Sequence, residues 1–189
     1  RGGAADQNLI LLDGAPVYAD SHMFGFFSVF NADAIKNVTL IKGGMPAQYG
    51  GRLSSVVDVA MKEGNNNKTQ IDAGIGLIAS RFSIQGPLKK NKASYILSAR
   101  RTYVDLLSKP FISKQSEFYG SGYYFYDLNA KMNYRFSEKD VLYLSGYFGR
   151  DKFTFNNTKR SFSTTIPWGN STATLRWNHV FNKKLFANT

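Results

Sequence analysis

The sequence predicts a mainly β protein in which a small mixed α and β segment, residues 1–63, precedes a run of antiparallel strands over 69–189 that are long enough to cross a membrane. Three observations predict this. Apolar and polar residues alternate with period 2 in segment after segment of the second part, the signature of strands with two different faces. The clearest of those strands is about twice as long as a soluble strand, which usually has roughly 5–6 residues. The composition also breaks after Glu63: residues 1–63 carry 5 basic and 6 acidic side chains, and the other 19 basic and 7 acidic residues follow.

The net charge of +11 therefore belongs to the second part, together with 22 of the 28 aromatic residues. Lys and Arg gathered on one face would suit a phosphate backbone, so a basic, aromatic-rich nucleic-acid-binding β-domain is one alternative. The absence of cysteine excludes a disulfide scaffold, a thiolate metal site and a Cys nucleophile. No apolar run approaches the roughly 18 residues of a transmembrane helix, a test that does not bear on barrel strands, whose alternation keeps mean hydropathy low. The chain opens Arg1-Gly2-Gly3, and nothing there resembles a signal peptide.

In the first part, Asn8-Leu9-Ile10-Leu11-Leu12 is a short apolar run stopped by Asp13-Gly14-Ala15-Pro16, where Gly permits positive φ and Pro fixes the exit. Asn31-Ala32-Asp33-Ala34-Ile35 reads as one helical turn with Asn31 as the cap oxygen. Val38-Thr39-Leu40-Ile41 and Ser55-Val56-Val57-Asp58-Val59 are β-rich, and a glycine-dense loop over 42–52 separates them. Gly64-Asn65-Asn66-Asn67-Lys68 is a polar, turn-forming linker.

Seven strands follow. Tyr124, Tyr126, Leu128, Ala130, Met132, Tyr134 and Phe136 share one face, against Tyr123, Phe125, Asp127, Asn129, Lys131, Asn133, Arg135 and Ser137 on the other. The same division marks strands around Ile71 to Ile75, Phe82 to Ile84, Tyr95 to Ala99, Leu142 to Phe148 and Ala173 to Trp177, and Leu185-Phe186-Ala187 begins the last. Twelve steps from Tyr124 to Phe136 reach about 40 Å at ~3.3 Å per residue. At a tilt of ~40° that is roughly 30 Å along the membrane normal, with aromatic residues at both ends of the apolar face as in an interfacial girdle. A long soluble meander also alternates. The connections favour the barrel: Lys89-Lys90-Asn91-Lys92, Glu138-Lys139-Asp140 and Asn182-Lys183-Lys184 are tight, whereas the stretches near 108–122 and 156–169 are long, and short and long alternate as two rims require. That parity needs a turn near Ile78-Ala79-Ser80, where the alternation changes phase.

The segments Asn8-Leu9-Ile10-Leu11-Leu12-Asp13-Gly14-Ala15-Pro16-Val17, residues 34–50 with Lys42-Gly43-Gly44 and Tyr49-Gly50, and Ser54-Ser55-Val56-Val57-Asp58-Val59 together resemble the C-terminal half of the plug domain of TonB-dependent outer-membrane receptors. Ser21-His22-Met23-Phe24-Gly25-Phe26-Phe27-Ser28 is similar to receptors of Bacteroidetes type and departs from the SusC-like glycan importers. The resemblance implies the plug over 1–63, a linker over 64–68, and about seven of roughly 22 strands of a plugged barrel over 69–189. It implies energy-coupled uptake of a scarce ligand such as a siderophore, metal chelate or oligosaccharide at the bacterial cell outer membrane. The partners it implies are TonB, through a box upstream of Arg1, outer-membrane lipid, an extracellular small ligand and a surface lipoprotein, with no nucleic acid. A barrel for adhesion or surface-protein assembly is the alternative within the same architecture.

On that resemblance Tyr18, Asp20, Ser21, His22 and Phe24 occupy an apical plug loop that would touch ligand, their aromatic and hydrogen-bonding groups suiting a ligand part apolar and part polar. Lys42 and Arg52 would anchor plug to wall; Lys42 stands where the family usually has Arg and lacks its bidentate fork. No catalysis, cofactor or metal is expected. Gly74-Ile75-Gly76-Leu77-Ile78-Ala79 matches a dinucleotide fingerprint in letters but precedes a strand pattern rather than a helix.

Overall fold

The computed structural model describes residues 7–52 and 54–189. The chain first builds a small four-stranded sheet in the order β2-β1-β6-β5, from β1 (Asn8–Leu12), β2 (Ala15–Pro16), β5 (Ile35–Lys42) and β6 (Ser55–Met61). β1 and β6 are parallel, so β6 lies at the centre and is the most buried of the four. The Asp13-Gly14 pair closes β1 onto β2 with both residues at positive φ (49° and 87°), as a two-residue hairpin turn requires. Between β2 and β5 runs a two-stranded ribbon, β3 (Ser21–His22) with β4 (Phe27–Ser28), bridged by a one-turn 3-10 helix over Met23–Gly25. Asn31 Oδ1 accepts the Asp33 N–H at 3.1 Å, so the expected cap is present, but it closes a turn that runs directly into β5 rather than a helix. Leu12, Val17, Val29, Ala34, Val59 and Met61 form the core of this unit.

The second part is one antiparallel sheet of seven strands in chain order: β7 (Gln70–Ile75), β8 (Ala79–Lys89), β9 (Ala93–Thr102), β10 (Gly122–Arg135), β11 (Asp140–Asn157), β12 (Phe162–Asn182) and β13 (Leu185–Asn188). Each strand pairs with the next, and β7 and β13 are its open edges. The first turn occupies residues 76–78, closed by Gly76 N–H to Ala79 O at 2.9 Å, which accounts for the phase change of the alternation and places the dinucleotide-like letters in a hairpin. A short helix, α1 (Val104–Ser108), lies in the long β9 to β10 connection. Among the described residues no helix is long and apolar enough to cross a membrane.

The β11 to β12 connection differs from the expected long loop over 156–169. The two strands stay paired out to Asn157 and Phe162, leaving only four residues between them. Thr154, Phe155, Thr164, Thr165 and Ile166 are β-branched or aromatic and favour the ladder. Pro167 is tolerated within it because β13 pairs only with residues 178–182, so at Pro167 the strand has no second neighbour among the described residues to which a missing N–H would matter.

The faces of the large sheet are inverted relative to a soluble protein. Along β10, Tyr123, Phe125, Asp127, Asn129, Lys131 and Asn133 are all buried, whereas Leu128, Met132 and Tyr134 are exposed. The exposed apolar set continues in register across neighbouring strands through Phe82, Leu97, Leu144, Phe148, Leu175 and Trp177. An apolar patch of this extent marks a surface that does not face water. The polar face is covered by the small sheet.

Candidate functional site

The small unit docks on the polar face through a ladder of contacts that climbs the large sheet from the tight-turn rim to the other. Next to the tight turns, the Glu63 carbonyl accepts from Asn133 Nδ2 at 2.8 Å and from Ser94 Oγ at 2.6 Å. Two residues up β10, Lys131 Nζ meets both oxygens of Asp13, at 2.9 and 3.1 Å, and the Met61 carbonyl at 3.1 Å. Asp13 also accepts the Met61 N–H at 3.0 Å, so the Asp-Gly turn joins its own sheet to the wall. Asn31 Nδ2 donates to Ser98 Oγ at 2.7 Å, and the Arg81 to Asp33 ion pair, at 2.6 Å, lies to one side. Tyr147 of β11 is the aromatic exception: it packs into the apolar core of the small unit.

Higher still, His22 is sandwiched between two carboxylates. Its Nδ1 lies 2.6 Å from Asp151 Oδ2 and its Nε2 3.3 Å from Asp127 Oδ2, and its ring stacks on Phe125 at 4.0 Å with 5° between planes. Arg100 donates to Asp127 through Nε and Nη2 and to the Ser28 carbonyl at 2.7 Å. Tyr123 OH donates to Asp151 and accepts the Met23 N–H. Burial alone would lower the His22 pKa; hydrogen bonds and charges of Asp127 and Asp151 outweigh it and raise the pKa above its ordinary value of 6.5. The arrangement holds two buried carboxylates with Arg100 and the imidazole facing them, and it fixes the start of the 3-10 turn. At the top, Asn170 Nδ2 donates to the Ala19 carbonyl and its Oδ1 accepts the Ala19 N–H at 3.1 Å.

The apical segment thus splits in two. His22 is 1% exposed and belongs to the docking ladder, with Ser21 half-buried in the β3 and β4 ribbon beside it. Phe24, at φ 55°, is 81% exposed, with its ring 5.3 Å from Trp168 and 6.3 Å from Phe153 of the wall. Tyr18 and Asp20 are exposed; Tyr18 lines a cleft of about 190 Å³ together with Pro16, Gly50 and Arg52. Lys42 ends β5 and is exposed, and Arg52 Nη1 donates to the Gly51 carbonyl; among the described residues neither forms an ion pair. Asp127, Asp151, Arg100 and Trp168 were not among the site residues expected from sequence. The signal for the first three was their place on the polar face of strands whose other face is apolar.

Residues 1–57 match the family model described as TonB-dependent Receptor Plug Domain. No curated protein sequence matches the chain. Among solved structures, the siderophore receptor PirA from Acinetobacter baumannii aligns with a TM-score of 0.65 at 17% identity, over 95% of this chain and 31% of that one. A variant of the ferric enterobactin receptor PfeA from Pseudomonas aeruginosa, solved in complex with enterobactin, aligns at 0.60 and 18% identity over 94% of this chain and 31% of that one. The siderophore receptor PirA from Pseudomonas aeruginosa aligns at 0.52 and 18% identity over 95% and 36%. The chain spans about a third of the length of these structures. It has the fold of a plug segment docked on part of a β-barrel wall, and the plug match falls on the residues that build the small sheet and its ribbon.

Proposed function

We propose that the chain is part of a TonB-dependent outer-membrane receptor that takes up a scarce extracellular ligand, with residues 1–63 as the later part of the plug, 64–68 as linker and 69–189 as the first wall strands. The observation that carries this reading is the inverted sheet: its apolar face is open and its polar face is sealed by the segment that matches a plug. A siderophore is the favoured ligand class because the three structural neighbours are siderophore receptors by name, and the Bacteroidetes-type wording of residues 21–28 points to the kind of bacterium. Tyr18, Asp20 and Phe24 form the ligand side of the apical loop, and Ser21 and His22 hold that loop to the wall. Lys42 and Arg52 anchor the plug to wall strands beyond this chain.

The test is uptake of labelled ferric siderophores by cells expressing the full-length receptor, with and without a functional TonB. TonB-dependent uptake of at least one siderophore is expected, and Phe24→Ala should weaken binding of that ligand about threefold to tenfold, the worth of one aromatic contact. A full-length protein that resides in the outer membrane, shows no TonB-dependent uptake of any ligand and mediates attachment to surfaces would instead establish the adhesion alternative.

A further inference from the structure

The turn that presents Phe24 is built on a backbone conformation that its residues resist. Met23 and Phe24 are consecutive non-glycine residues in the left-handed region, at φ 52° and 55°, and Gly25 follows at 104°. Each L-residue held there is disfavoured by roughly a factor of five to thirty in population, and only Gly, Asn and Asp escape much of that penalty. Burial of Phe24 does not offset it, since the residue is 81% exposed. The offset comes from the wall, which grips the turn on both sides. At the entry, the Met23 N–H is shared between Tyr123 OH at 2.6 Å and Asp151 Oδ1 at 3.2 Å, and the Tyr123 hydroxyl donates to that same Asp151 oxygen. At the exit, Phe27 lies 5.4 Å from Phe125, and Arg100 donates to the Ser28 carbonyl at 2.7 Å. The backbone of the turn adds Phe26 N–H to Met23 O at 3.2 Å.

These grips are not equivalent. Asp151 also holds His22, and Arg100 also holds Asp127, so both belong to the seating of the whole small unit. The Tyr123 hydroxyl has only Met23 and Asp151 as hydrogen-bond partners among the described residues. Its side chain is buried under the turn, one residue from the ring that the turn projects. That ring, on Phe24, is held 5.3 Å from Trp168 and 6.3 Å from Phe153. A return of Met23 and Phe24 to the extended region would redirect the Cα–Cβ bond of Phe24 and take the ring from that place. We propose that Tyr123 is a positioning residue for ligand binding: by holding the Met23 N–H it keeps Met23 and Phe24 left-handed, and so keeps the Phe24 ring where ligand meets it. It acts through Phe24 and not on the ligand, and the measured affinity falls with the fraction of molecules in which the turn is released. This rests on the reading of Phe24 as a ligand contact.

The test uses the full-length receptor with 4-fluorophenylalanine in place of Phe24, followed by fluorine NMR. Tyr123→Phe keeps the ring and removes the hydroxyl. The fluorine resonance, displaced by the Trp168 ring in the parent protein, should move toward its solvent-exposed position. Adding Met23→Asn, a residue that tolerates the left-handed region, should bring it back. Titration with ferric enterobactin, without the fluorine label, should show Tyr123→Phe binding about threefold more weakly, the effect of one neutral hydrogen bond. Adding Tyr123→Phe to Phe24→Ala should cause no further loss. A fluorine resonance unchanged by Tyr123→Phe would overturn the proposal. So would losses that multiply in the double variant, since they would show that Tyr123 acts by seating the small unit and not through Phe24. Failure to bind ferric enterobactin, or binding that Phe24→Ala leaves unchanged, would count against the ligand reading of Phe24, while the fluorine resonance still decides whether Tyr123 holds the turn.

Discussion

Replacing Lys131 by Met should loosen the docking of the small sheet on the wall by about 3 kcal/mol. The Lys131 and Asp13 side chains are 3% and 5% exposed, and the ammonium reaches both carboxylate oxygens and the Met61 carbonyl. Removing one partner of such a pair leaves a buried charge uncompensated, which costs about 3–5 kcal/mol. The lower end applies here, because Asp13 keeps the Met61 N–H at 3.0 Å and Met refills the volume of the lysine stem. The double variant, Lys131→Met with Asp13→Asn, should recover to within about 1 kcal/mol of wild type. Asn keeps an acceptor for Met61 and tolerates the left-handed conformation of position 13, at φ 49°. The two substitutions should thus couple by at least about 2 kcal/mol in a double-mutant cycle, the value reached if Asp13→Asn alone cost nothing.

Hydrogen exchange of the Val56, Val59 and Met61 amides in the full-length protein reads this directly, since those amides open with the docked sheet. A loss of about 3 kcal/mol is roughly a hundredfold faster exchange in the single variant. Unchanged exchange in Lys131→Met would show that the pair is not part of what holds the plug. A double variant that exchanges as fast as the single one would show that the effect is packing rather than charge.

The His22 contact should make docking pH-dependent. Its pKa is raised in the docked state, so its contribution is complete below the undocked value of about 6.5 and drains away as pH rises through the docked value. Protection of the Ser21 and Met23 amides, corrected for intrinsic exchange, should hold below about pH 6.5 and fall as pH rises above it, and His22→Gln should flatten the profile; a wild-type profile already flat would refute the assignment. On the outward face, Leu128→Arg near the middle of the apolar band should cost the barrel about 2–4 kcal/mol of stability in lipid, measured by denaturant unfolding of the full-length protein in vesicles. A loss below about 0.5 kcal/mol would mean that this face is not in contact with hydrocarbon.

The part of this architecture legible in the sequence is the part set by local period. Every residue of β10 from Tyr123 to Asn133 falls on the face its alternation assigns, because a strand has no freedom to mix its two sides. The Asp13-Gly14 hairpin was equally readable, since few residue pairs adopt two successive positive φ values. The extension of β11 and β12 was not. Asn156, Asn157, Pro167 and Gly169 carry turn chemistry, and only the register with the opposite strand overrides it. His22 lay beyond reach for a similar reason. Its neighbours in sequence are the exposed Phe24 and Asp20, and its burial is decided by Asp127 and Asp151, more than a hundred residues away.

The docking ladder also explains why its partners leave so weak a trace in the sequence of the small sheet. Five wall side chains, Asn133, Ser94, Lys131, Arg100 and Asn170, donate to main-chain carbonyls, the first two to Glu63 and the others to Met61, Ser28 and Ala19. A carbonyl is supplied by any residue, so the wall fixes the identity of the donor and leaves the acceptor position free. Where a side chain must do the accepting, at Asp13 and Asp33, donate, at Asn31, or be held by carboxylates, at His22, the small unit shows a residue type that chemistry dictates. A seam built this way is satisfied residue by residue when docked, yet each neutral hydrogen bond in it can be exchanged for one to water at a net cost of only about 0.5–1.5 kcal/mol. The apolar part of the contact is limited to Tyr147 with the core edge it covers and to the rings of His22, Phe24 and Phe27 against Phe125, Phe153 and Trp168 of the wall. The resistance to undocking therefore concentrates in the buried charges at Asp13 with Lys131 and at His22 with Asp127 and Asp151, and those are the positions where a single substitution should be felt.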